Sequence, residues 1–176
     1  MIVGFGKNGV SEKIRMINYN SVNELRLLSE LKVGPQQFAP QFAPGATLLY
    51  LGDTKEKDMH VDSEKLEAIG FPMDMHSRIS DVVLLDQREH FDGKDWIFLI
   101  EATDSVGPMS LSRVKELKDA YTGDAGLVFV TAFRTFSIYA KFAAELAWDT
   151  EVWIADKPTH MIHLNGDRFM GPRYDG

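Results

Sequence analysis

The chain has 176 residues, 44% of them hydrophobic, with a formal net charge of −7 and no cysteine. That is enough for one domain with a real core, and too apolar for a mostly disordered chain. The missing cysteines exclude a disulfide scaffold, a thiolate zinc site and a cysteine nucleophile, and the acidic balance argues against a general polyanion binder, so any nucleic-acid surface has to be a local basic face.

Residues 1–20 are the least readable part, and residues 21–176 read as a single domain. Gly4-Phe5-Gly6-Lys7-Asn8-Gly9 spells G-x-G-x-x-G. Only Ile2 and Val3 precede it, too few for the buried strand that a dinucleotide fingerprint requires, so a Gly-rich terminus is the simpler reading. No apolar run approaches the length of a membrane span and no secretory h-region opens the chain, so a cytoplasmic protein without a membrane partner is expected.

Ser21 and Glu24 form a capping box, and Val22, Leu25, Leu28 and Leu31 follow at helical spacing, which predicts a helix over 21–32. Gly34-Pro35 ends it or kinks it. Gln37-Phe38-Ala39-Pro40 is nearly repeated as Gln41-Phe42-Ala43-Pro44 and reads as a loop. A strand over 46–51 follows, then a charged surface loop over 53–62 and a short helix over 63–69 with Leu66 and Ile69 inward.

The stretch 77–103 holds two apolar runs, each bounded by a carboxylate. Asp81 precedes the run Val82 to Leu85, and Glu101 follows the run Trp96 to Ile100. Both runs are short and rich in β-branched or aromatic residues, so they read as buried strands over 82–86 and 96–102, joined by a link containing Asp92-Gly93 that suits a hairpin. Pairing brings Asp81 and Glu101 to one end of the ladder. Two carboxylates there, with no sulfur or nitrogen ligand at hand, make a hard-cation site and favour magnesium over zinc. The Ala102 carbonyl is a natural further ligand. Glu101 ends a strand apolar throughout, so without a cation its charged form is expected to be disfavoured.

Ser110 caps a helix over 110–121, with Leu111, Val114, Leu117 and Tyr121 on one face and Arg113, Lys115, Glu116 and Lys118 on the other. A strand over 126–131 should join strand 96–102 by a right-handed parallel crossover. Phe136, Tyr139, Ala140, Ala143, Leu146 and Ala147 mark another helix, Val152 to Ala155 a short strand, and Met161 to Leu164 an edge strand. Trp148 and Trp153 read as core. His160 and His163 are three apart in an extended segment, so they point to opposite faces and make no metal pair. The order of elements predicts an α/β fold, a mixed central sheet flanked by helices.

This order, with an aspartate and a glutamate on paired strands, looks like a PD-(D/E)XK nuclease core. More closely, the sequence resembles the C-terminal catalytic domain of the BsuBI/PstI type II restriction endonucleases. The matching pieces are FAPGATLLYLGDT (42–54), SDVVLLD (80–86), WIFLIEATDSVGPMSLSRVKEL (96–117), AGLVFVTAF (125–133) and AELAWDTEVWIADKPTHMIHLNGDRFMGP (144–172). Two positions depart from the pattern: Ser80 stands where a proline usually precedes the aspartate, and Thr103 stands where a lysine is expected. Family members also carry an N-terminal region that this chain largely lacks, so a partner chain supplying it is one expectation.

The resemblance implies a restriction-modification nuclease that hydrolyses DNA phosphodiester bonds with Mg2+, as a homodimer on double-stranded DNA at a palindrome, with CTGCAG as family precedent. Asp81 and Glu101 would hold the metal with Ala102, and Glu24 would bind a second ion or a metal-bound water. Arg113 would replace the missing lysine as the cation facing the scissile phosphate, with Lys115 and Lys118 beside it on the DNA-binding strip. Two rivals stand against this reading: a catalytically inactive nuclease-like DNA-binding or interaction module, and a nucleotide-binding enzyme using Gly4 to Gly9.

Overall fold

The computed structural model describes residues 38–52, 60–72, 78–103 and 107–164. The elements are α1 (Phe38–Phe42), β1 (Thr47–Leu51), β2 (His60–Val61), α2 (Ser63–Ala68), β3 (Val82–Asp86), β4 (Trp96–Thr103), α3 (Leu111–Ala120), β5 (Gly126–Phe133), α4 (Phe136–Phe142), β6 (Glu151–Ile154) and β7 (Met161–His163). The strands form one seven-stranded sheet in the order β2-β1-β3-β4-β5-β6-β7, with β4 at its centre. The neighbours β1 to β4 pair antiparallel, β4 with β5 and β5 with β6 pair parallel, and β7 returns antiparallel to β6. The predicted mixed sheet and its hairpin are therefore present.

The central strands are apolar on both faces because both faces are covered. On one face Leu48, Leu84, Phe98, Ile100, Val130 and Trp153 pack against α1, whose Phe38 is fully buried. On the other face Val83, Leu85, Ile97, Leu99 and Phe129 pack against Leu66 of α2 and Val114 and Leu117 of α3. A register shift between Leu48 and Tyr50 lets Leu49 and Tyr50 both join this second face. Phe133, Val152 and Ile154 form a smaller cluster under α4, with Ile138, Tyr139 and Phe142.

Several local expectations need correction. The Gln-Phe-Ala-Pro doubling is not a loop: Phe38–Phe42 forms a helical turn whose first ring sits edge-on to Phe98 and Trp153, centroids 5.8 Å apart in each case. Within the charged stretch 53–62, His60 and Val61 pair with β1 as an edge strand. The helix expected through Ala147 stops at Phe142 and tightens into a single 3₁₀ turn, Ala143–Glu145. Trp148 is 73% exposed rather than core, and Leu111 is 75% exposed although it sits on α3. The expected helix over 21–32 lies outside the described residues.

Gly70 shows how the second layer is fixed. It has φ +104°, and an added Cβ would lie 2.3 Å from the Gly123 backbone nitrogen. The turn after α2 thus presses directly on the turn after α3, and Thr122 N–H donates to the Gly70 carbonyl at 2.9 Å. Any side chain at Gly70 would push α3 away from the sheet. Among the described residues no helix is long and apolar enough to cross a membrane.

Candidate active site

The register pairs Val82 with Ile100, so Asp81 and Glu101 flank the last pair of the β3–β4 ladder, as pairing predicts. Side chains alternate across a strand. Ile97 and Leu99 face α3, so Glu101 faces it too, while Phe98, Ile100 and Ala102 face α1. Asp81 lies one residue before β3.

Asp81 is half-buried and closes the ladder. Its Oδ2 accepts the Ala102 backbone N–H at 2.9 Å, where the next residue of β3 would otherwise have supplied a carbonyl. Within a strand the N–H and C=O of one residue point to the same side, so the Ala102 carbonyl is directed toward this carboxylate as well. A hydrogen bond to a charged acceptor contributes about 1.5 to 3 kcal/mol, so Asp81 has a structural role at the strand end alongside any chemistry.

Glu101 is 8% exposed. An unpaired carboxylate at that depth costs several kcal/mol. The structure supplies a counter-charge of its own. Arg113 reaches back from the first turn of α3 and places both Nε and Nη2 at 2.8 Å from Glu101 Oε1. Its Nη1 lies 2.7 Å from Glu116 Oε2, one helical turn on. Burial works against the Arg113 charge, but the Glu101 charge and the hydrogen bonds to Glu116 and Glu101 outweigh it and hold its pKa above the ordinary guanidinium value. The cation that sequence reasoning assigned to a metal alone is, in the protein by itself, this guanidinium.

Two residues not foreseen hold the arrangement in place. Thr131 is fully buried and paired with Glu101 across the β4–β5 ladder. Its Oγ1 accepts the Met109 N–H at 2.9 Å, which fixes the approach to α3, and Ser110 then caps the helix by accepting the Arg113 N–H. Glu116 is the other. Its position three residues after Arg113 is the only sequence signal it offers.

The remaining expected residues are spread out. Thr103 is fully buried, and its hydroxyl donates to the Gly107 carbonyl at 3.1 Å, tying the β4–α3 connection. Ser80 is also fully buried, and its hydroxyl has no hydrogen-bond partner among the described residues. Lys115 is exposed on α3. Lys118 places its Nζ 5.5 Å from the centre of the Phe129 ring, further along the helix from Glu101. Glu24 and Gly4 to Gly9 lie outside the described residues. His163 pairs with Glu151 on the edge strand, and His160 precedes that strand, so neither of these two histidines joins the site.

The donors gathered here are two carboxylates and a carbonyl, all oxygen. That set fits a hard cation, and magnesium is commonly held by one or two carboxylates plus water and substrate phosphate. Among the described residues no group of three or more His, Asp or Glu side chains is placed to hold a metal ion. An all-protein cage of the calcium or zinc kind is therefore not what these residues form.

A family model described as the BsuBI/PstI restriction endonuclease domain matches residues 32–167. The chain is 44% identical over 138 residues to the type II restriction enzyme BsuBI of Bacillus subtilis, covering 78% of this chain and 42% of that one. It is 33% identical over 76 residues to the type II restriction enzyme AplI of Arthrospira platensis, covering 43% and 24% respectively. The solved structure of SdaI restriction endonuclease superposes with a TM-score of 0.67 at 41% identity, over 84% of this chain and 44% of that chain. The chain thus spans less than half the length of the relatives it matches.

Proposed function

Because the chain belongs to the BsuBI/PstI restriction endonuclease family, we propose that it is a magnesium-dependent type II restriction endonuclease that hydrolyses phosphodiester bonds of double-stranded DNA. The observation that supports this reading is that Asp81 and Glu101 flank the last pair of the β3–β4 ladder, with Arg113 on the Glu101 carboxylate. In this reading the two carboxylates and the Ala102 carbonyl hold the ion. When bound, magnesium relieves charge on the phosphate and activates a water. Arg113 then faces the scissile phosphate in the place of the lysine for which Thr103 stands, since a guanidinium suits phosphate oxygens in pairs.

Lys115 and Lys118 would extend the positive strip along α3, on a body that is otherwise acidic. Cutting at a palindrome by a homodimer, with CTGCAG as family precedent, is the finer part of this proposal. Whether Glu24 adds a ligand, and whether a partner chain completes the DNA-reading surface, belong to the same proposal, as does a place in the cytoplasm beside the DNA. The rival of an inert nuclease-like module draws on Thr103, and such a module need not hold the ion.

The test is incubation of the chain with plasmid of mixed sequence and magnesium, followed by mapping of the ends. Discrete cuts at one sequence, lost on chelation and in Glu101→Gln, support the proposal. Absence of cutting together with absence of magnesium binding would overturn it in favour of the inert module.

A further inference from the structure

Arg113 uses its guanidinium on two carboxylates at once. Nε and Nη2 converge on Glu101 Oε1, while Nη1 holds Glu116 Oε2. The two acceptors differ in setting: the Glu101 side chain is 11% exposed and that of Glu116 is 42% exposed. Glu116 lies on the same helix as Arg113, so that contact does not depend on how α3 sits against β4. A metal ion at Asp81 and Glu101 competes with Arg113 for the Glu101 carboxylate. If Arg113 had no second anchor, giving up Glu101 would leave a guanidinium only 21% exposed with no counter-charge. That cost would be charged against metal binding.

We infer that Glu116 is a positioning residue: it retains Arg113 when Glu101 turns to a divalent cation, and it keeps the guanidinium beside the site for the phosphate. The inference rests on the metal reading of Asp81 and Glu101 and adds to it a hand-over between two cations on one carboxylate. Nothing in it requires Glu116 to touch metal or DNA. Its effect on the metal passes through Arg113.

The experiment measures magnesium affinity of the full chain calorimetrically without DNA, and in parallel the magnesium dependence of DNA cleavage, for four variants. Glu116→Ala should weaken magnesium binding roughly two- to fivefold, the scale of a partly exposed ion pair. Glu116→Gln loses the charge but keeps an oxygen for Nη1, and should recover at least half of that loss. Asp119→Asn removes a charge from an exposed position of the same helix and should match the parent. Thermal melts check that each variant is folded. Equal affinity in Glu116→Ala and the parent would overturn the inference. So would equal weakening in Glu116→Ala, Glu116→Gln and Asp119→Asn, because that pattern is a long-range field and not a held guanidinium. Glu101→Gln separates the two levels. If it binds magnesium as the parent does, the metal reading itself fails. If it loses magnesium while the Glu116 variants do not differ from the parent, only the hand-over fails.

Discussion

The β3–β4 hairpin carries a carboxylate paired with an arginine at each end, and the two pairs are built differently. At the turn end, Asp86 is fully buried and takes its partners from the next four residues. Arg88 donates from its backbone N–H, from Nε and from Nη2, the last at 2.6 Å, and His90 Nε2 stands 3.6 Å away. The His90 ring stacks on Trp96 at 3.9 Å, and the Trp96 indole N–H donates to Asp92. At the other end, Glu101 takes its arginine from a separate element, twelve residues on, and shares it with a third carboxylate. The turn end is largely local: its partners arrive with the next residues, and the further acceptor of Arg88 among the described residues is the Phe42 carbonyl at 3.5 Å. The far end depends on the seating of α3 and holds a cation that has somewhere else to go. Identical chemistry thus serves to lock a turn in one place and to leave an exchangeable carboxylate in the other.

The largest expected difference between the two ends is in cleavage. Glu101→Gln should reduce magnesium-dependent DNA cleavage about a thousandfold, since a metal-assisted step supplies several kcal/mol of transition-state stabilisation. Asp81→Asn should behave alike, and the double variant should cost little more than either alone, because both serve one site. Single-turnover cleavage with melts alongside decides this. Near-normal cleavage by Glu101→Gln would remove the residue from the mechanism and leave the two ends equivalent.

The turn end should answer in stability. Asp86→Ala removes the acceptor of three Arg88 donors and should cost about 1 to 3 kcal/mol, or roughly 2 to 4 °C in Tm for each kcal/mol, without altering cleavage by the folded fraction. Acid should show the same asymmetry. Burial alone would raise the Asp86 pKa, but the Arg88 hydrogen bonds and the nearby Arg88 and His90 charges outweigh it and hold it below the ordinary carboxylate value. A depressed folded pKa contributes stability that is fully present above the unfolded value, near about 4, and is lost as pH falls through the folded one. Melts from neutral to acid pH should therefore show a steeper acid limb in the parent than in Asp86→Ala. Parallel limbs would deny Asp86 that role.

The sequence made the sheet legible because its strands are buried on both faces, and continuous apolar runs between turn residues have few other uses. Asp81 and Glu101 were legible for the same reason: a carboxylate that ends such a run is conspicuous. Periodicity did less well where covering is partial. Leu111 and Phe136 fall at apolar positions of their helices yet begin them, and are 75% and 60% exposed. Trp148 follows the 3₁₀ turn beside Asp149, whose φ is +61°, and the turn carries the indole outward. Composition alone does not distinguish it from Trp153. Phe38–Phe42 was missed because two prolines in eight residues signal a loop, although Pro40 lies within the first turn, where its absent N–H costs nothing. Glu116 and Thr131 were missed because each acts on a neighbour across space, Arg113 in one case and Met109 in the other.

The smallest expected effect concerns how DNA would lie on the two ends. If α3 presents the phosphate-tracking strip, each of its exposed lysines that meets a phosphate adds close to one unit to the slope of log affinity against log salt. Lys115 is exposed on α3, two residues and about 200° of helix from Arg113; where that face meets a phosphate, Lys115→Ala should lower the slope by about one and weaken binding uniformly across sequences. Lys118 lies five residues from Arg113, about 7.5 Å along the helix, and its Nζ is already engaged over the Phe129 ring. Lys118→Ala should therefore change the slope by less than Lys115→Ala does. Lys94, exposed in the β3–β4 turn at the opposite end of the strands, supplies the control, and Lys94→Ala should leave the slope unaltered. Binding measured over a range of salt, with calcium in place of magnesium to prevent cutting, gives the three slopes. Equal slopes for all three variants would mean that the basic strip on α3 is an ordinary solvated helix face and that DNA is held elsewhere.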